Sequence, residues 1–514
     1  MRGVCFFRSA QSYFKLLMCT HKLKLFYLYR YQLSLFACNM FSKLSFFILA
    51  ALFTTLSSAQ SISPKQFGLL DAKSREECYS ILYRTHCFAI EKGLNVSYSG
   101  IDRVYLEIPK NAKPIPLPDK TDFCGCTIYV SNTVKDSFPL FELDGSVCGD
   151  ESTYEGKGDI LLPNFSIQGG LHLLLVSDVD PWVKNRSGYN YGAIRKDVLL
   201  INKGQIQCCP IAPYTQSSFK AKLVKVTNRK KRISNLNFVR DSHSTQKTLL
   251  FLITSSYNVT VSNIKTHTPQ NNVLYGDAII TVSDSYNICF RDISIDSTYS
   301  LQDKYGYAIS LNNVASFKGI NIVANGNWGV FCCSNIRDIR LDKCIINRFD
   351  LHCYGKDFVF NKCKFTHIGL PMSSFFGVVS YKDCIFERAV PIIYRIDYNA
   401  YTPYDVLFDN CVFIMEARRN YLIDLVSVPA ETNLRRELME RCLPNVMIRN
   451  CSFVFDPQIN NISIFNGIKT TKASFGHIKY VVIEKSSLNR PDVQVNFFDS
   501  TPHSSNTIMT SSDL

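Results

Sequence analysis

The chain has 514 residues, 46% of them apolar and 19% charged, which excludes a disordered protein and allows one elongated domain or two to three ordinary ones. A net charge of +14 and a pI near 8.9 predict an anionic partner. The one strong basic run, Arg229-Lys230-Lys231-Arg232, reads as a solvated turn and no nucleic-acid partner is expected; no segment is long and apolar enough for membrane insertion.

The first 39 residues fit no export pattern and no core periodicity, and they read as an upstream extension from a misplaced start. From Met40 a basic Lys43, an apolar run over Leu44–Leu56 and small residues at Ser57 and Ala59 make a signal peptide ending at 59. The run is too short to span a bilayer. No Cys follows the cut, so a bacterial lipid anchor is not expected. The mature protein is therefore expected to be secreted or periplasmic, starting at Gln60.

Residues 60–170 are expected to form an N-terminal cap with the first strands. It holds Phe67–Ala72, a helix over Ser74–Lys92, and strands at 102–108 and 125–131. A solenoid over 171–500 needs such a cap, because its first coil would otherwise expose apolar surface and unpaired edges. From about residue 230 one phrase recurs: alternating apolar residues, a polar pair, then Ile or Cys. Its last position falls at Ile264, Ile293, Ile320, Cys344, Cys363, Cys384, Cys411, Cys451 and Ser486 (with a first instance at 264 and steps of 29, 27, 24, 19, 21, 27, 40 and 35). Short strands with a polar corner in each unit predict an all-β, right-handed parallel β-helix, a single-stranded solenoid. The long steps carry insertions at 390–404 and 416–444, and the Ser/Thr-rich tail 501–514 is expected to fray.

Twenty cysteines in an exported chain would ordinarily suggest disulfides. Cys344, Cys363, Cys384, Cys411 and Cys451 instead share one position in successive coils, which predicts an inward column of thiols acting as small apolar groups. A straight column cannot close a metal tetrahedron, so no metal is expected; no cofactor is called for, and a calcium requirement stays open.

A second ladder pairs an aromatic residue with Gly: Tyr275-Gly276, Tyr305-Gly306, Trp328-Gly329, Tyr354-Gly355 and Phe376-Gly377. It reads either as an internal stack at a bend or as rings presented to sugar faces. Two polar clusters follow the column, Arg348-Phe349-Asp350-Leu351-His352 and Arg395-Ile396-Asp397-Tyr398, with His367 and Arg388 between them. If they share a face they lie about 10 Å apart along the solenoid axis.

The segments Trp328-Gly329, Ser334-Asn335, Arg348-Phe349-Asp350-x-His352 and Arg395-x-Asp397-Tyr398 resemble a group of secreted right-handed β-helix proteins of gut Bacteroidetes. The phrases Ile108-Pro109, Ile115-Pro116-Leu117, Thr121-Asp122-Phe123 and Arg186-Ser187-Gly188-Tyr189-Asn190 are similar to theirs, and Leu351 and Asn399 depart from the pattern. The resemblance implies kinship to β-helix lyases of acidic polysaccharides such as glycosaminoglycans. β-Elimination needs a cation on the uronate carboxylate, a base and an acid. Arg348 or Arg395 would neutralise, His352 would be the base, Tyr398 the acid, and Asp350 and Asp397 would orient their neighbours. Trp328, Tyr305, Tyr354, His367 and Arg388 would line the substrate. A polygalacturonase-type hydrolase using Asp350 and Asp397 and a non-catalytic glycan binder remain alternatives, with a viral tailspike-like assembly more distant.

Overall fold

The computed structural model describes residues 60–131, 138–157, 170–181, 183–186, 189–211, 218–240, 248–268, 278–297, 306–325, 328–395, 404–426, 433–434, 441–467, 475–476 and 480–498. A last stretch covers 508–512. The proposed leader and signal peptide lie outside these residues. Ser61–Leu514 form one compact unit.

That unit is a parallel β-helix. Each strand pairs in parallel with its counterpart one coil later. Val259 aligns with Ile288, Ile288 with Phe317, Phe317 with Ile339 and Ile339 with Phe358, and the column continues through Val379, Val406, Val446 and Val481. The corner before the Ile/Cys column is built by residues in the left-handed region: Asn263, Asp292, Asn321, Lys343, Lys362, Asp383, Asn410, Asn450 and Lys485. Asn and Asp tolerate that conformation best, and they also bond across coils. Asn321 Nδ2 donates to Asp292 Oδ1 at 2.9 Å and Asn410 Nδ2 to Asp383 Oδ1 at 2.6 Å. One repeat needs correction: Asn321, not Gly319, makes the corner, so Ile322 takes the column position expected of Ile320.

The cysteine column lies in the core as expected. Cys344, Cys363, Cys384, Cys411 and Cys451 are all buried thiols, and Ser486 continues the row with its Oγ accepting from Cys451 N–H at 3.3 Å. Beside it run two stacks of rings, Phe360–Tyr381–Phe408 and Phe365–Phe386–Phe413–Phe453, with successive centroids 4.8–5.0 Å apart. The coil spacing of about 4.8 Å sets the distance between successive rings, so one aromatic per coil stacks on the next as offset pairs.

The cap carries the one α-helix among the described residues, α1 (Arg75–Lys92). Ser74 caps its start by accepting from Glu77 N–H, Glu76 and Glu77 sit in its first turn, and Gly93 at φ 65° ends it. Inside the cap, buried His86 bridges three segments. Its Nδ1 lies 3.0 Å from the Pro116 carbonyl and its Nε2 2.9 Å from the Tyr98 hydroxyl. A carbonyl only accepts, so Nδ1 carries the proton and Tyr98 donates to Nε2. Burial pushes this imidazole down to about 4.

Two boundaries differ from expectation. The solenoid begins earlier, since Lys120–Asp122, Thr127–Val130 and Phe138–Asp144 already pair in parallel with strands of the next coil. Within the stretch expected as solenoid, Val183–Arg186, Tyr189–Ala193 and Asn433–Leu434 form a separate antiparallel sheet. Leu171–Asp178, Lys196–Asn202, Gln205–Ile206 and Ser218–Val226, also expected as solenoid, instead build a five-stranded antiparallel sheet with Ser146–Lys157. Leu174, Val176, Leu199 and Ile201 form its own small core, and Leu173, Val198 and Val224 pack on Ala315 of the solenoid. Runs apolar on both faces lack the corner residues of a coil, which is why this sheet forms apart. It is pinned by Arg337, whose Nε donates to Asp197 at 3.1 Å and Nη2 to the Val198 carbonyl at 2.5 Å. The tail also departs from expectation: Ile508–Ser512 adds a further rung beside Tyr480–Glu484.

Candidate functional site

Five strands position the candidate residues: β1 (Tyr307–Asn325), β2 (Gly329–Asp342), β3 (Phe349–Asn361), β4 (Ile368–Met372) and β5 (Val390–Arg395). Tyr307 is level with Gly329, and Cys332 with Asp350. Alternation sends Phe349 and Leu351 into the core, so Asp350 and His352 face the other side of the strand.

Asp350 is nonetheless buried, at 1% exposure, because its neighbours close over it. Arg348 Nε lies 2.6 Å from Asp350 Oδ2, and the Tyr307 hydroxyl donates to the same oxygen. Tyr307 crosses an intervening coil to do so. It can because Gly329 stands between: a Cβ there would lie 2.8 Å from the Tyr307 ring and 3.3 Å from Arg348 Cβ. The Arg348 guanidinium in turn lies 4.4 Å from the centre of the Trp328 ring, a cation–π contact. Burial and the adjacent Asp350 carboxylate push the Tyr307 phenol well up. The same two causes push the Cys332 thiol up to about 12, so it stays protonated.

His352 is half-buried at the strand's bulge, its Nδ1 3.5 Å from Cys332 Sγ and its ring edge-on to Tyr307. On the next coil His367 accepts at Nδ1 from Arg419 Nη2 at 2.9 Å, while Arg419 Nη1 donates to the carbonyls of His367 and Arg388. A guanidinium has only donors, so Nδ1 of His367 is unprotonated and Nε2 carries the proton. Burial and the nearby Arg419 and Arg348 lower its pKa, with Glu416 opposing.

Of the predicted residues, Arg348, Asp350, His352 and Trp328 come together. His367 lies close enough for Arg348 to act on its charge. Ile368 N–H donates to the Asn347 carbonyl and Ile368 is level with Val390, so Arg348 and β5 belong to one face. Arg395, at the end of β5, therefore lies two coils beyond His352, about 10 Å along the axis. Arg388 is exposed at a left-handed corner and enters this network through its carbonyl. Tyr354 does not present a ring to ligand: it is 2% exposed and occupies a left-handed corner at φ 50°. Tyr305, Asp397 and Tyr398 lie outside the described residues. Three participants were missed by sequence reasoning: Tyr307, Cys332 and Arg419. Tyr307 was legible in principle, because coil alignment sets it opposite the glycine of Trp328-Gly329.

Among the described residues no cluster of three or more His, Cys, Asp or Glu side chains could hold a metal ion. No helix among them is long and apolar enough to cross a membrane.

No family model matches the sequence, and no curated protein matches it. Solved structures do. The tailspike protein of Pseudomonas phage LKA1 is similar at 13% identity and a TM-score of 0.52, over 88% of this chain and 81% of that one. A tailspike of Acinetobacter baumannii bacteriophage AP22, solved with a capsular saccharide, is similar at 10% identity and a TM-score of 0.48, over 87% and 76%. An endo-xylogalacturonan hydrolase from Aspergillus tubingensis follows at 10% and 0.35, over 88% and 99%. The likeness to the first of these is one of architecture, and with the parallel coils described above it makes this chain a parallel β-helix protein.

Proposed function

We propose that the protein is exported and acts on an acidic polysaccharide laid along the β2–β5 face, cleaving it by β-elimination. The observation that carries this reading is how Arg348 is held. Asp350 engages its Nε and Trp328 covers one side of its plane, while the terminal Nη groups have no partner among the described residues. Such a fork is preset for bidentate binding of a carboxylate. A uronate bound there has its charge neutralised, which acidifies the adjacent C5 proton.

His352 is the base in this reading. With Nδ1 donating to Cys332 sulfur, Nε2 is the ring nitrogen that takes the C5 proton. The electrons of that C–H bond form the C4=C5 double bond, and the glycosidic oxygen leaves with a proton from Tyr398. Asp397 would orient Arg395 as Asp350 orients Arg348. His367, protonated at Nε2, is a donor to a sugar oxygen and not a base.

The test is incubation with chondroitin, hyaluronan and polygalacturonate, following the ultraviolet absorbance of unsaturated uronate beside reducing-end release. Absorbance that is lost in His352→Ala, with folding intact, supports the reading. Reducing ends without absorbance would make the protein a hydrolase. Binding without either would make it a glycan binder. Full activity in folded His352→Ala removes the residue assignment.

A further inference from the structure

A cleft of about 460 Å³ opens on the cap, between α1 and the loop 109–113, far in sequence from the β2–β5 face. Its volume falls within the range of small-ligand sites. Tyr79 forms its floor, 3% exposed, and ties the loop to the helix by donating from its hydroxyl to the Lys113 carbonyl. Tyr83 stands one turn further on the same helix face and is half-buried, so part of its ring meets solvent. Arg84 and Lys113 are exposed at the rim, and the lining contains these two cations and no carboxylate. Ser80 and Asn111 add a hydroxyl and an amide. Ser80 Oγ donates to the Glu76 carbonyl, which leaves its oxygen an acceptor.

The cleft continues an aromatic and cationic strip. Glu107 N–H donates to the Arg75 carbonyl and so lays the segment after Tyr105 against the start of α1. The Arg75 guanidinium lies 5.6 Å from the Tyr105 ring centre, and Tyr105 stacks on Tyr129 at 4.7 Å and 15°. Tyr105 is 42% exposed, an outward-facing ring on the first coils. Ring faces suit the C–H faces of sugars, amide and hydroxyl groups suit their hydroxyls, and cations suit their carboxylates or sulfates.

We infer that the cap carries a second binding site, for an anionic saccharide, which holds the polymer without taking part in its cleavage. The inference rests on the lining of the cleft, so it stands or falls separately from the β2–β5 reading. A polymer held at two places gains effective concentration at each.

The experiment uses the full chain with Arg348→Met and Asp350→Leu, which silences the β2–β5 face. Hexasaccharides of chondroitin, hyaluronan and polygalacturonate are titrated by calorimetry, with a neutral cellohexaose and a poly-glutamate peptide as controls. The expected result is binding of at least one uronate hexasaccharide, weakened about tenfold or more by Tyr83→Ala or by Arg84→Ala with Lys113→Ala. Melting temperatures of these variants should match the parent, since the three side chains reach solvent. No binding by any of the three acidic hexasaccharides overturns the inference. So does binding that the cap variants leave within about twofold. Equal binding of cellohexaose would remove the role of charge, and preference for poly-glutamate would make the cleft a peptide site; either result also overturns it. Absence of cleavage by the unsubstituted protein, together with retained cap binding, would reject the β2–β5 reading alone.

Discussion

The Arg348–Asp350 pair gives the sharpest physical test of the site. Asp350 is 1% exposed on its side chain and Arg348 12%, with Nε and Oδ2 2.6 Å apart. Removing one member of a buried pair strands the other's charge, at a cost of about 3–5 kcal/mol. In Asp350→Ala the stranded groups are the Arg348 guanidinium, which keeps some contact with water, and the Tyr307 hydroxyl. That places the expected loss near the lower end, at about 3 kcal/mol. Replacing both partners by apolar residues of similar volume removes charge and desolvation cost together. The Arg348→Met, Asp350→Leu double variant should therefore lie within about 1 kcal/mol of the parent while losing the glycan binding proposed for this face. Trp328 is one of only two tryptophans. With Trp182→Phe as background, its fluorescence reports urea unfolding from beside the pair. A single variant within about 0.5 kcal/mol of the parent, or a double variant as unstable as the single, would refute the buried-pair account.

Gly329→Ala should push the Tyr307 ring off Asp350, because the new Cβ would lie 2.8 Å from that ring; a loss of about 1–3 kcal/mol in urea unfolding is expected, with weakened binding at the β2–β5 face in calorimetry. His86 gives an acid-dependent effect. Its folded pKa of about 4 lies below the unfolded value near 6.5, so the unfolded chain takes up a proton that the fold refuses. Stability is fully present above about pH 6.5 and falls as pH drops toward 4, by about 3 kcal/mol from this group; the difference between denaturant midpoints at the two pH values should shrink in His86→Gln. Within the column, Cys384→Ser should cost less than about 1 kcal/mol, because Ser486 already fills the equivalent place, whereas Cys384→Leu overpacks by about 1–3 kcal/mol in the same unfolding assay.

The solenoid was legible because its signals are local. A left-handed corner favours Asn or Asp, the next position turns inward, and both recur in every coil. Where the phrase misled, at Ser316–Ile320, a Gly stood two residues before the real corner, and composition could not separate a corner glycine from an extended one. The antiparallel sheet was not legible. Leu171–Asp178 and Lys196–Asn202 are apolar on both faces, a pattern shared by buried parallel strands and by a sheet packed between its own core and a second body. Only pairing distinguishes them, and pairing is a long-range property. The aromatic–Gly ladder was legible as a repeat but not as a function. Trp328 meets Arg348 and remains half-buried, while Tyr354 turns into the interior at a corner.

The site itself shows why a linear motif undersells a β-helix. Tyr307, Cys332, Asp350 and His367 come from four successive coils, and Arg419 from further on. No two of these are closer than 17 residues in sequence, yet side chains two coils apart touch. Proximity here is set by column and by which columns lack a side chain. Gly329 is the decisive instance, since its empty position lets a phenol reach across one coil and fix a carboxylate on the next. That carboxylate then holds Arg348 at Nε, beside the Trp328 ring, and the proposed function rests on the donors left over. A carboxylate or sulfate, the ligand proposed above, would complete that fork with two charge-assisted bonds. In the proposed reading the sign of the ligand is thus traced to a glycine, through a tyrosine and an aspartate.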